Sequence, residues 1–74
     1  MGILSMGSSG EGVKRLQERL KEFSFYQGEI TGNFDAATEG AVKSFQDADG
    51  LAADGSVGLM TLQALGLLQL KTIE

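Results

Sequence analysis

Cysteine and histidine are both missing from the chain. Their absence removes disulfide frameworks and Cys/His zinc sites, the devices small modules most often use to supplement a thin core. It also removes the Ser–His and Cys–His pairs from which nucleophilic catalysis is usually assembled. Basic residues are scarce as well: six Lys and Arg against ten Asp and Glu, for a formal charge of −4. That balance argues against nucleic acid, whose affinity comes largely from cations neutralising phosphates. No apolar run approaches the ~20 residues of a membrane span, so no membrane insertion is expected. The N-terminus lacks the basic and apolar regions of a secretory signal, as expected of a mature form or an excised piece of a longer protein.

What is present is 74 residues with a 42% apolar share, an ordinary globular value. A chain this short is one domain, residues 1–74, and buries about 60% of the surface it exposes when unfolded. It must stand on apolar packing. Val13, Leu16, Leu20 and Phe23 recur at helical spacing and predict a first helix over about 10–23, with Ser8 or Ser9 as its N-cap. The basic residues Lys14, Arg15, Arg19 and Lys21 interleave with Glu18 and Glu22, the pattern of a solvated helix face. Thr38, Ala41, Val42, Phe45 and Ala48 predict a second helix over about 36–49, capped by Asp35 and stopped at Gly50. A third, over about 59–65, lies between Gly58 and Gly66. The apolar tail Leu67, Leu68 and Leu70 is expected to pack back on the body, near Ile3 and Leu4.

The most informative feature is an internal repeat. The stretch from Thr31 to Val42 aligns with that from Asp54 to Leu65; Gly32 matches Gly55 and Thr38 matches Thr61, both steps of 23 residues. Each copy reads as a glycine turn feeding a helix. Phe34 and Val57 should tuck beneath that helix, Thr38 and Thr61 should be buried with hydroxyls bonding back to the loop, and small Ala41 and Ala64 should allow close helix approach. The predicted fold is all-α, a compact three-helix bundle with a duplicated loop-helix unit.

Site chemistry is sparse. The carboxylate pairs Asp35/Glu39 and Asp47/Asp49 read as a helix cap with a first-turn acid and as a solvated helix end. A glycosidase pair needs one carboxyl desolvated across a deep cleft, which so small a domain can hardly enclose. The run from Asp47 to Gly50 has the wrong spacing for a calcium loop. The glycine-rich stretch Gly7 to Gly12 lacks the Lys-Ser/Thr pair of a phosphate loop and reads as a flexible lead into the first helix. No enzyme, cofactor or metal is expected.

The chain resembles the peptidoglycan-binding domains of bacterial cell-wall hydrolases over about residues 4–66. The shared pattern runs Gly7-Ser8, Gly10, Val13, Leu16-Gln17, Leu20, Phe25-Tyr26, Gly28, Ile30, Gly32, Phe34, Thr38 and Ala41-Val42. It continues with Phe45-Gln46, Gly50-Leu51, Asp54-Gly55, Val57-Gly58, Thr61 and Ala64-Leu65. It departs from the family's usual residues at Ser24 (Gly), Thr31 (Asp), Asp35 (Gly), Leu59 (Pro) and Leu62 (often Trp). The resemblance implies a monomeric, non-catalytic module that binds the glycan and stem peptide of peptidoglycan outside the cytoplasm. In its parent protein it would anchor a covalently linked hydrolase or other domain at the cell wall. The alternative is a protein-interaction or pro-domain role on the same fold, as in metalloprotease pro-segments. Candidate ligand-binding residues are Tyr26, Gln27, Asn33, Asp35, Gln46, Asp54 and Ser56. Asn33 and Ser56 occupy equivalent outward places. Tyr26 either stacks on a sugar face or caps the core, Asp54 either bonds within its turn or meets ligand, and Gln17 and Gln46 either satisfy loop carbonyls or meet ligand.

Overall fold

A computed structural model describes residues 4–66. It contains three helices, α1 (Glu11–Glu22), α2 (Ala36–Ala48) and α3 (Leu59–Leu65), and α1 packs against both others. Ile3 and the tail residues Leu67, Leu68 and Leu70, expected to pack together, lie outside the described residues. α1 buries Val13, Leu16, Gln17 and Leu20, and α2 buries Thr38, Ala41, Val42, Phe45 and Gln46. Both sets follow the i, i+3, i+4, i+7 spacing that puts apolar groups on one helix face. Phe34 and Val57 are buried from the loops, while Leu4, Phe25, Ile30 and Leu62 pack around the rim.

The caps differ from expectation at one end. Asp35 caps α2 as the sequence predicts, its side chain accepting from Thr38 N at 3.0 Å. α1 instead has Gly10 as N-cap with no side-chain bond. Ser8 is engaged elsewhere, and Ser9 lies in an antiparallel bridge opposite Asn33. Phe34 N donates to Ser8 O at 2.9 Å, Gly10 N donates to Gly32 O at 2.9 Å, and the Ser8 hydroxyl accepts from Ser5 N. Residues 4–10 are therefore no flexible lead. They form a strap whose backbone pairs with both glycine turns, since Leu4 and Val57 also exchange bonds of 3.1 and 2.7 Å.

Three apolar residues leave the predicted faces. Phe23 is the C-cap of α1, outside the helix; its ring stacks on Phe45 at 6.0 Å and stays 42% exposed. Ala48, the last residue of α2, and Ala64, on the flank of α3, are both exposed, so only Ala41 serves close packing.

Each turn is built around one buried glutamine. Gln17 Nε2 donates to Asn33 O and Thr38 Oγ1 at 3.0 Å and to Thr31 Oγ1 at 3.4 Å, while its Oε1 accepts from Gly32 N at 2.9 Å. Gln46 does the same one turn later. Its Nε2 donates to Ser56 O at 2.7 Å, Thr61 Oγ1 at 3.1 Å and Asp54 Oδ1 at 3.3 Å, and its Oε1 accepts from Gly55 N at 3.0 Å. The turns thus match bond for bond. Gly32 and Gly55 sit at φ 83° and 84°, where side chains are disfavoured, and a Cβ on Gly55 would press within 3.0 Å of Glu39 and Lys43. Among the described residues no buried side-chain nitrogen or oxygen lacks a partner.

Two stability outcomes follow. Gln17→Leu and Gln46→Leu each strand buried loop groups at a cost of about 3 kcal/mol or more, most of the stability of a domain this small. Urea denaturation followed by circular dichroism should show this, and an unchanged midpoint would mean the carboxamides carry no weight. Ser24, a non-glycine residue at φ 68°, is strained, so Ser24→Gly should raise stability by about 0.5–1 kcal/mol in a thermal melt.

Candidate functional site

The glycine turns about Gly32 (turn 1, residues 31–33) and Gly55 (turn 2, residues 54–56) front separate depressions. Turn 1 lines a small cleft of about 320 Å³ with Ser9, Gly10, Glu11, Lys14, Thr31, Gly32 and Asn33. Turn 2 lines a groove of about 430 Å³ with Gln46, Leu51, Ala52, Asp54, Ser56, Gly58, Leu59, Met60 and Thr61. A wider depression of about 590 Å³ follows the exposed face of α1, bordered by Glu11, Lys14, Arg15, Glu18, Arg19, Glu22 and Gly66. Its acids and bases offset one another, Arg19 bonding Glu22 at 2.9 Å, and it has the character of a solvated helix face.

Of the seven candidate residues, the structure brings together Gln46, Asp54 and Ser56 at the turn 2 groove. Asn33 lies in the turn 1 cleft. Tyr26, Gln27 and Asp35 border neither. Tyr26 is 4% exposed and caps the core, its hydroxyl donating to Glu29 O at 2.8 Å. The ring lies so close over Gly28 that a Cβ there would meet its oxygen at 2.7 Å. Gln27 is exposed and donates to Ser24 O, and Asp35 is committed to its cap. Gln46 is buried at 1% exposure and serves the turn, as does Gln17.

Asp54 bonds locally within its turn. Its Oδ1 accepts from Ser56 N at 3.0 Å, Ser56 Oγ at 3.1 Å and Gln46 Nε2 at 3.3 Å. Donation from the Ser56 backbone, then from its hydroxyl, holds the Asp54 carboxyl below its ordinary value. Thr38 does the same for Asp35, backbone first.

The sequence reading missed Leu51, Ala52, Leu59 and Met60 as groove residues. Leu59 and Met60 are 63% and 64% exposed. The signal was there: α3 buries Thr61 and Leu65, one i, i+4 face, and positions 59 and 60 fall on the other side. Among the described residues no cluster of three acids could hold a metal, and no helix is long and apolar enough to cross a membrane.

The family model for a peptidoglycan binding domain matches residues 9–65, spanning α1, both turns and α3. The chain belongs to this family. The spore cortex-lytic enzyme of Bacillus cereus is 43% identical over 63 residues, covering 85% of this chain and 24% of that protein. The zinc D-Ala-D-Ala carboxypeptidase of Streptomyces albus G is 47% identical over 70 residues, covering 92% and 28%. The chain therefore spans about a quarter of the length of these relatives. The crystal structure of the SleB N-terminal domain superposes with a TM-score of 0.87 at 42% identity, covering 88% of this chain and 89% of that one. The three-helix architecture of this peptidoglycan binding domain is thus shared along nearly the whole described length.

The two lowered carboxyls set a pH dependence. The unfolded chain takes up protons at Asp35 and Asp54 at a higher pH than the folded one. Their stabilisation is thus present in full above the ordinary carboxylate value of 3.8 and is lost as pH falls through the depressed folded values. Thermal melts from about pH 7 down to about pH 2.5 should show the midpoint falling on the acid side. The double variant Asp35→Asn/Asp54→Asn should lessen that fall, and an unaltered acid slope would count against both carboxyls.

Proposed function

We propose that this domain binds peptidoglycan without cleaving it and holds an attached catalytic or other domain at the bacterial cell wall, outside the cytoplasm. The family match over residues 9–65 carries the reading. The relatives are named as a spore cortex-lytic enzyme and a zinc D-Ala-D-Ala carboxypeptidase, and this chain corresponds to about a quarter of each. Their chemistry has room to reside in the rest of those proteins. The chain has no histidine or cysteine from which to build a nucleophile and base. Its buried polar side chains Gln17, Gln46, Thr38 and Thr61 are engaged in holding the turns.

Of the surfaces available, the turn 2 groove fits this role best, with Asp54 and Ser56 as the polar candidates and Leu51, Leu59 and Met60 as the apolar ones. The groove is shallow and the domain acidic, so one copy should bind weakly. Retention would come from tethering along a repetitive polymer, through effective concentration.

Incubation with purified sacculi followed by pelleting tests the reading. The domain should pellet with the walls at low salt and leave their turbidity unchanged. A domain that remains in the supernatant, while circular dichroism shows it helical, would sink the proposal and leave a protein-interaction role in its place.

A further inference from the structure

We propose that the groove between turn 2 and the start of α3 takes an aliphatic side chain ending in a primary amine, with the amine on Asp54 and the methylenes against Leu59 and Met60. This rests on the wall-binding reading and names the moiety recognised: the diamino acid of the peptidoglycan stem peptide, in place of the glycan.

The charge of the groove points to an amine. Asp54 is the one ionisable residue among those lining it, and among the described residues it forms no ion pair; Lys43, whose side chain passes beside the neighbouring Gly55, does not pair with it. The three side-chain contacts described for Asp54 all fall on Oδ1, which orients the carboxylate and leaves Oδ2 for a donor. Hydrogen bonds from the Ser56 backbone and hydroxyl favour the ionised form and hold the carboxyl below its ordinary value. A terminal carboxylate of the stem would be repelled from this position, which sets the orientation of the peptide.

The walls of the groove point to methylenes. Leu59 and Met60 are 63% and 64% exposed, adjacent, and beside Leu51 and Ala52. Exposed large apolar groups clustered beside a fixed charge are the marks of a binding surface. The unbranched thioether of Met60 adapts to a flexible alkyl chain. By contrast, no aromatic ring lines the groove, and Tyr26 is buried elsewhere. A sugar face therefore finds no ring to stack on, which favours the peptide over the glycan.

The test is an amide shift titration of the chain with the peptide Nα-acetyl-L-Ala-D-Glu-L-Lys, with its ε-amine free and with it acetylated. The free form should shift the amides of Ala52, Ser56 and Met60 and bind about threefold to fivefold more tightly than the acetylated form, the size of effect a solvated ion pair gives. Asp54→Asn keeps an Oδ1 acceptor for Ser56 and should bring the two peptides to equal affinity. Met60→Gln should weaken both. Equal affinities for the unaltered domain, or shifts confined to another surface, would overturn the proposal. Sacculi that retain the domain while neither peptide shifts it would overturn the amine site and leave wall binding standing. Sacculi that do not retain it would bring down both.

Discussion

The structure depends on two buried carboxamides. A glycine turn leaves backbone groups that must be paired once they are covered, and water is not available to pair them. Glutamine suits the task because one neutral group offers both a donor and an acceptor. Glutamate in the same place would bury a charge and lose the donor; leucine would fill the space and pair nothing. Each of Gln17 and Gln46 reaches from a helix into the following turn and onto the threonine one helical turn beyond. Loop, glycine and next helix are thereby fixed relative to the preceding helix by a single side chain. A domain with no disulfide has few other ways to hold a loop so firmly.

Much of the fold was legible because its signals are local. Helical spacing found the buried faces of α1 and α2, and Gly58 and Gly66 bracketed α3 at its observed bounds. The alignment of Gly32 with Gly55 and Thr38 with Thr61 anticipated turns that the hydrogen bonds match partner for partner. The alignment did not extend back to the glutamines, because Gln17 and Gln46 stand 29 residues apart, not 23, the connections into the two turns differing in length. Phe23 was misplaced for a similar reason. Its spacing continues the helix, but the backbone has already turned at the C-cap.

The candidate site was less legible, since ligand contact and internal pairing recruit the same residue types. Tyr26, Asp35 and Gln46 carry groups that could serve a ligand, and the fold uses each of them itself. Which polar groups are spoken for depends on contacts between distant segments, and only the folded chain reveals that. The residues that line the turn 2 groove announce themselves differently, as apolar side chains on the wrong side of a short helix.

The strap of residues 4–10 has a practical corollary. Its ties to Val57, Phe34 and Gly32 are hydrogen bonds between main-chain atoms, so away from Leu4 and the positive-φ glycines Gly7 and Gly10 they do not depend on the side chain carried. Met6, 52% exposed on that strap, is thus a location for a fluorophore or a surface linkage. A handle there would report on a rigid body while leaving the two carboxamides and the groove beside α3 undisturbed.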